Sequence, residues 1–242
     1  MAIQDKRGKR FIEDYRKYDL EERELYRKLP HLHKWWNKLY LAETMGYQCG
    51  PGATEIPETK EYVIRPIYNL GGMGICTTIK ILEKGDISSV PPGYFWCEWL
   101  EGEHYSIDYR RGKNWKGGED WVPWNACQGF HKSEDNLTKF DRWLIIDPPD
   151  IALPSWVHDI DVKELNIEFK GDKITEIHLR SGNDICLVSN IGDEIYPVWQ
   201  GDDYADMQHL EFIPNLSTQE EDYTAAGNLK DIRLGYYRKI NT

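Results

Sequence analysis

Residues 165–180 read LNIEFKGDKITEIHLR, two runs that alternate apolar and polar on either side of a Gly-Asp pair. This stretch restricts the fold more than any other. Period-two alternation marks a strand with one face in a core, and Gly171-Asp172 is turn chemistry suited to a hairpin. In an extended chain Glu176, His178 and Arg180 project to one side and Ile177 and Leu179 to the other. That polar face has two readings, the wet side of a half-buried strand or the lining of a site. Register separates them. If Gly171 and Asp172 alone make the turn, Glu168 lies opposite Thr175 and Glu176 opposite Ile167, so the two carboxylates fall on opposite faces. One added residue, in a three-residue turn from Gly171 to Lys173 or as a bulge, brings Glu168 opposite Glu176, with β-carbons about 5 Å apart.

The other segments are mostly strands and turns, not alternating βαβ units. Residues 5–29 are charged, with Phe11, Tyr15, Tyr18, Leu25 and Tyr26 at roughly helical spacing, and Pro30 ends them, which predicts a surface or docking helix pair. HLHKWWNKLYLAETMGYQCGP, residues 31–51, predicts a second helical stretch with Trp36, Leu39, Tyr40 and Met45 on one face and Gly46 as its stop. His31 and His33 there lack the i, i+4 spacing of helical metal ligands. EYVIRPIYNLGGMGICTTIKIL, residues 61–82, reads as strand, glycine loop, strand. It is no Walker loop, since GxxxxGK is absent. Gly71, Gly72 and Gly74 suit either an ordinary hairpin or a loop whose backbone N–H groups cover phosphates, with Arg65 near enough to reach the same anion.

PPGYFWCEWLEGEHYSIDYRRG, residues 91–112, predicts a second hairpin, 94–100 against 104–110, turning at Glu101-Gly102. Residues 112–143 are rich in Trp, Gly and charge and predict a long structured loop, in which Trp115, Trp121 and Trp124 either pack or stack on a substrate. DPPD at 147–150 breaks the chain before a short helix or loop, and IRLGYYRKI near the C-terminus reads as a returning strand. Hairpins separated by helical or irregular stretches predict α+β segregation with mainly antiparallel sheets.

Composition removes several classes of function. At 242 residues the chain suits one large domain or two small ones. A formal charge of -11, from 30 Lys+Arg against 41 Asp+Glu, argues against a nucleic-acid or anionic-membrane surface, which needs a basic footprint. The opening MAIQDKRGKRFIEDYRKYDL has no apolar signal core, and no apolar run approaches the roughly 18 residues of a spanning helix. The expectation is a soluble, cytoplasmic protein without a membrane partner. Cys49, Cys76, Cys97, Cys127 and Cys186 are odd in number and widely spaced, so neither a zinc cage nor a disulfide framework is indicated. Without a secretory signal, the sequons at Asn136 and Asn215 read as chance matches.

In this order the pieces resemble the ATP-grasp superfamily, over roughly residues 35–185. NKLYLAETMGYQCGP looks like the family's opening helix, with Lys38 as its lysine. YVIRPIYNLGGMGI is similar to the strand and glycine loop that cover the nucleotide phosphates, with Arg65 where the family usually has lysine. FWCEWLEGEHYSID resembles the interdomain hinge, whose backbone at Glu98, Trp99 and Leu100 meets the adenine edge. IEFKGDKITEIHLR resembles the metal-binding strand pair, with Glu168, Glu176 and His178 at ligand positions and Arg180 at a phosphate position. The implied architecture is two mixed α/β lobes around a nucleotide cleft. It divides the chain into a helical extension (1–34), a first lobe with the glycine loop (35–93), a second lobe with hinge and metal strands (94–185) and a C-terminal extension (186–242). The resemblance also selects the odd register of the 165–180 hairpin, because a shared cation offsets the repulsion of facing carboxylates.

Two residues depart from the family pattern. His178 replaces the usual asparagine, and His104 stands where a glutamate commonly holds the ribose. Imidazole is a poorer partner than oxygen for Mg²⁺, which admits Mn²⁺ as the cation. The reaction implied is ATP-dependent: a carboxylate is phosphorylated to an acylphosphate and an amine attacks it. In it Lys38 and Arg65 bind phosphates, the loop from Gly71 to Gly74 closes the site, Glu168, Glu176 and His178 hold Mg²⁺ or Mn²⁺, and Arg180 stabilises the transferred group. ATP and a small-molecule or peptide carboxylate are the implied partners, and the resemblance names neither the acceptor nor an oligomeric state. The substitutions at 104 and 178 support the alternative, a nucleotide-binding or interaction module that keeps the fold without turnover.

Overall fold

In a computed structural model of the chain, every strand pairing among the described residues is antiparallel, and the strands form two sheets. The structure describes residues 22–68, 70, 76–113, 119–131, 140–182, 190–201, 203–214 and 233–239. The glycine loop at 71–74 and Trp115 lie outside them.

The N-terminal elements are short. α1 (Glu22–Lys28) has acidic residues in its first turn and Arg27 and Lys28 in its last, each complementing the helix dipole. Pro30 opens a 3-10 segment, Pro30–Trp36, that buries Leu32, Trp35 and Trp36. Asn37 caps α2 (Lys38–Thr44), its side chain accepting from the Tyr40 N–H at 2.8 Å. Lys38 is therefore the first helical residue, and its N–H donates to Ile67 O at 2.9 Å.

The smaller sheet has the order β1-β4-β2-β3, built from β1 (Cys49–Pro51), β2 (Lys60–Pro66), β3 (Thr78–Leu82) and β4 (Tyr94–Glu98). Alternation along β2 sends Tyr62 and Ile64 into a core with Ile56, Leu82, Val90 and Trp96. Val63 and Arg65 therefore face the other way.

The larger sheet has eight strands in the order β11-β12-β10-β7-β6-β5-β8-β9. Its central members are β5 (His104–Lys113), β6 (Glu119–His131), β7 (Phe140–Ile146), β8 (Glu164–Lys170) and β9 (Lys173–His178). β10 (Glu194–Trp199), β11 (Glu211–Pro214) and β12 (Arg233–Lys239) complete it, so the apolar-basic run near the C-terminus does return as a strand. A 3-10 turn, Ser155–Asp159, follows the proline break. Ile107, Leu165, Ile167, Phe169, Ile174 and Ile177 share a core with Leu25, Leu32, Trp35, Trp36 and Leu41. The N-terminal elements thus dock on the sheet, and the 3-10 segment and α2 pack against its edge strand β9.

Two expectations are corrected. Residues 94–110 are not a hairpin: β4 pairs with β1 and β2, whereas β5 pairs with β6 and β8, so Glu101-Gly102 carries the chain from one sheet to the other. Gly102 has φ +122°, and a β-carbon there would lie 2.5 Å from Gly171 N, so the connection between the sheets and the β8–β9 turn are in backbone contact. Residues 112–143 are not one long loop, since β6 and β7 occupy much of the span. Pro123 and Gly129 look like breakers, but Pro123 sits at a bulge in the β5–β6 ladder. Gly129 leaves room for the Phe140 and Trp143 rings. Of the tryptophans there, Trp121 is core, its indole N–H donating to Val157 O at 3.0 Å, and Arg110 lies 3.6 Å over Trp124.

Candidate functional site

The hairpin of β8 and β9 has the odd register. Lys170 pairs with Lys173 and Phe169 with Ile174 across the two-residue turn, and a shift at Thr175 then sets Glu168 opposite Glu176. The extra residue is a bulge, with the Thr175 hydroxyl donating to Glu168 O at 3.2 Å. β5 continues the polar face. Its His104, Ser106 and Asp108 lie opposite Lys170, Glu168 and Asn166, and Asn166 lies opposite His178. Three adjacent strands therefore present a polar array whose reverse side is core.

This array meets the other face of the smaller sheet, the one that carries Val63 and Arg65, in a cleft of ≈ 150 Å³. Val63, Arg65, Phe95 and Cys97 form one wall, as alternation on β2 and β4 requires. His104, Glu168, Lys170, Ile174 and Glu176 form the other, and Glu98, Trp99 and Leu100 line the connection between them. The apolar part at Val63, Phe95 and Ile174 is suited to a flat base, and the charged part to an anion. Glu98 is tied down: its N–H donates to Gln48 O and its carboxylate accepts from Gln48 N, both at 2.8 Å.

Glu176 is the electrostatic hub. Its Oε2 lies 2.5 Å from Lys38 Nζ and 3.1 Å from Arg65 Nη2, and its Oε1 lies 3.6 Å from His178 Nε2. Burial alone would raise its carboxyl, but Lys38, His178 and Arg65 outweigh that and lower it to about 2. Burial holds the Lys38 ammonium below its ordinary value, with Glu176 opposing. Glu168 sits between two imidazoles, 3.7 Å from His104 Nε2 through Oε2 and 3.8 Å from His178 Nε2 through Oε1. His104 is buried among His131, Phe140 and Trp143, and that burial, with Lys170 and His131 nearby, pushes its imidazole well below the usual range.

Arg180 does not line the cleft. Its Nε lies 2.8 Å from Glu22 Oε2, and the same oxygen lies 3.4 Å from His178 Nδ1, while Trp36 Nε1 donates to Glu22 Oε1. Burial opposes the charge on Glu22, yet Arg180 and His178 bring its carboxyl down to about 2. His178 is the mirror case: desolvation would lower it, but Glu22, Glu168 and Glu176 carry it to about 10.

Sequence reasoning passed over several polar residues here. Asp108 Oδ1 accepts from Gly182 N at 2.7 Å and from Asn166 Nδ2 at 3.0 Å, and Asn166 Nδ2 also reaches Ser106 Oγ at 2.9 Å. This buried network holds the chain just past Arg180 against the sheet. Its signal was present, because HYSID and LNIEFK alternate as clearly as TEIHLR. Glu22 had no such signal.

The donor set fits a divalent cation. Glu168, Glu176 and His178 offer ligand atoms that all lie within 4.8 Å of one another. Two oxygens and a nitrogen suit Mn²⁺ better than Mg²⁺. Among the described residues no helix is long and apolar enough to cross a membrane.

No family model matches the sequence, and no curated protein matches it. Several solved structures are similar to the chain at low identity. A protein from Archaeoglobus fulgidus attributed to that superfamily is 12% identical, with a TM-score of 0.42 over 72% of this chain, and the chain spans 61% of its length. N5-carboxyaminoimidazole synthetase from Staphylococcus aureus, complexed with ADP, is 11% identical, with a TM-score of 0.49 over 93% of this chain and 75% of that one. L-amino acid ligase from Bacillus licheniformis is 8% identical, with a TM-score of 0.46 over 86% of this chain and 67% of that one.

Proposed function

We propose that the chain is an ATP-dependent ligase of ATP-grasp type that activates a carboxylate as an acylphosphate for attack by an amine. One observation carries the reading: Lys38 and Arg65 converge on Glu176, which faces Glu168 across a hairpin, beside an apolar cleft floored by the inter-sheet connection. In this reading Val63, Phe95 and Ile174 receive the base, and the backbone from Glu98 to Leu100 meets its edge. Lys38 and Arg65 turn from Glu176 toward phosphate oxygens and neutralise charge there. A divalent cation held by Glu168, Glu176 and His178, Mg²⁺ or Mn²⁺, would neutralise further phosphate charge when bound. Arg180, now held by Glu22, reaches the transferred group only if that pairing changes. Gly71, Gly72 and Gly74, which the resemblance assigns to covering the phosphates, lie outside the described residues.

A second reading, nucleotide binding without turnover, draws on His104. A buried imidazole 3.7 Å from Glu168 stands where the resemblance puts a ribose-holding glutamate. Release of ADP and phosphate separates the two. Purified protein is incubated with Mn-ATP and Mg-ATP and a panel of carboxylates and amines, and a ligase releases ADP only where an acceptable pair is present. ATP bound with no ADP formed from any pair favours the second reading.

A further inference from the structure

We infer that Glu22 is a positioning residue for a divalent cation at Glu168, Glu176 and His178: from the N-terminal helix it holds His178 by Nδ1 so that Nε2 faces the two cleft carboxylates. The inference rests on the reading of those three side chains as cation ligands and adds to it a residue from outside the cleft.

The geometry divides the atoms of the cluster into two groups. The first is turned toward groups outside the cluster. Glu176 Oε2 is taken by Lys38 and Arg65, at 2.5 and 3.1 Å. Glu168 Oε2 lies toward His104, at 3.7 Å, and His178 Nδ1 toward Glu22, at 3.4 Å. The second group is what remains: Glu168 Oε1, Glu176 Oε1 and His178 Nε2. These face one another, with Nε2 lying 3.8 and 3.6 Å from the two oxygens. An imidazole that ligates a metal through one nitrogen characteristically gives its other N–H to a carboxylate, which fixes tautomer and ring orientation. Glu22 Oε2 stands at that place, 3.4 Å from Nδ1, and accepts its N–H once the ring settles on a cation.

Glu22 is itself immobilised. Trp36 Nε1 donates to its Oε1, Arg180 Nε lies 2.8 Å from Oε2, and the residue is 6% exposed. Helix α1 is anchored by Leu25 in the same core as Ile177, next to His178. With an imidazole among its ligands the site is biased toward cations that accept nitrogen.

The test uses the 242-residue chain and Mn²⁺ alone. Free Mn²⁺ is counted by its electron paramagnetic resonance signal, and nitrogen coordination is read from ¹⁴N modulation in pulsed spectra. Wild-type protein should bind Mn²⁺ with nitrogen modulation. Glu22→Ala should weaken binding by about 10- to 100-fold, and Glu22→Gln, which keeps an acceptor oxygen, should recover part of that loss. His178→Asn should abolish the modulation, and adding Glu22→Ala to it should weaken binding no more than about twofold, because the effect of Glu22 passes through His178. Wild-type affinity and modulation in Glu22→Ala, or an equal loss in the His178→Asn background, would overturn the inference and leave the ligand set standing. Mn²⁺ bound by wild type without ¹⁴N modulation would remove His178 from the ligand set, and the inference with it.

Discussion

Glu168 on β8 lies directly opposite Glu176 on β9, yet the two carboxylates have different company. Glu176 is buried between Lys38 and Arg65, whereas Glu168 is 27% exposed and faces two imidazoles. Glu176→Gln should therefore destabilise the metal-free protein by about 3 to 5 kcal/mol, because it leaves buried cations without their partner. Glu168→Gln should change stability by less than about 1 kcal/mol. Urea denaturation of the two variants checks the asymmetry, and equal losses would contradict it.

Arg65 extends from β2 to Glu176 on β9, bridging the two sheets. Under the proposed function Arg65→Ala should weaken ATP binding by about 1 to 3 kcal/mol, the worth of a charge-assisted contact to phosphate. Calorimetric titration of both proteins gives the difference, and equal affinities would take Arg65 out of the site.

The pH dependence has two limbs. His178 is raised from 6.5 to about 10, so its contribution to stability is fully present below about pH 6.5 and is lost as pH rises through about 10. Glu22 and Glu176 are lowered from 4.5 to about 2, so theirs is present above about pH 4.5 and is lost as pH falls through about 2. Thermal melting of metal-free protein should be highest between those limits. In His178→Asn the alkaline limb should flatten.

Gly102 and Gly171 bring two backbones into contact where the connection between the sheets crosses the β8–β9 turn, and Gly171 N donates to Glu103 O at 2.8 Å. Gly102→Ala combines a positive φ with a β-carbon 2.5 Å from Gly171 N, so it should destabilise by more than about 2 kcal/mol and weaken nucleotide binding as well. Gly85 also has a positive φ but nothing within 4 Å. Gly85→Ala should cost only about 1 kcal/mol and leave nucleotide affinity unchanged. Denaturation and calorimetry on both variants separate contact from strain.

These relationships were unevenly legible in the chain. The polar face of β9 is plain because period two needs only local order, and the choice between registers reduces to one extra residue, which proves to be Thr175. The same rule picks out Ser106, Asp108 and Asn166 once β5 and β8 are known to be neighbours. Glu101-Gly102 misleads because a sheet-to-sheet crossing and a hairpin turn use the same residues, and only the partners of β4 and β5 tell them apart. β6 was hidden by Pro123 and Gly129, which act as breakers in isolation but here adjoin a bulge at Trp124 and seat two aromatic rings. Glu22 was beyond reach, since a contact between the first described helix and the last residues of a distant hairpin leaves no periodic trace.

The central claim is a cation-dependent nucleotide site at the junction of the two sheets. Calorimetric titration of the protein with a non-hydrolysable ATP analogue, once with Mn²⁺ and once with a chelator, tests it most directly. The account predicts one site per chain in the presence of Mn²⁺ and at least a tenfold loss of affinity on chelation. No binding under either condition, or the same affinity with and without the cation, would contradict it.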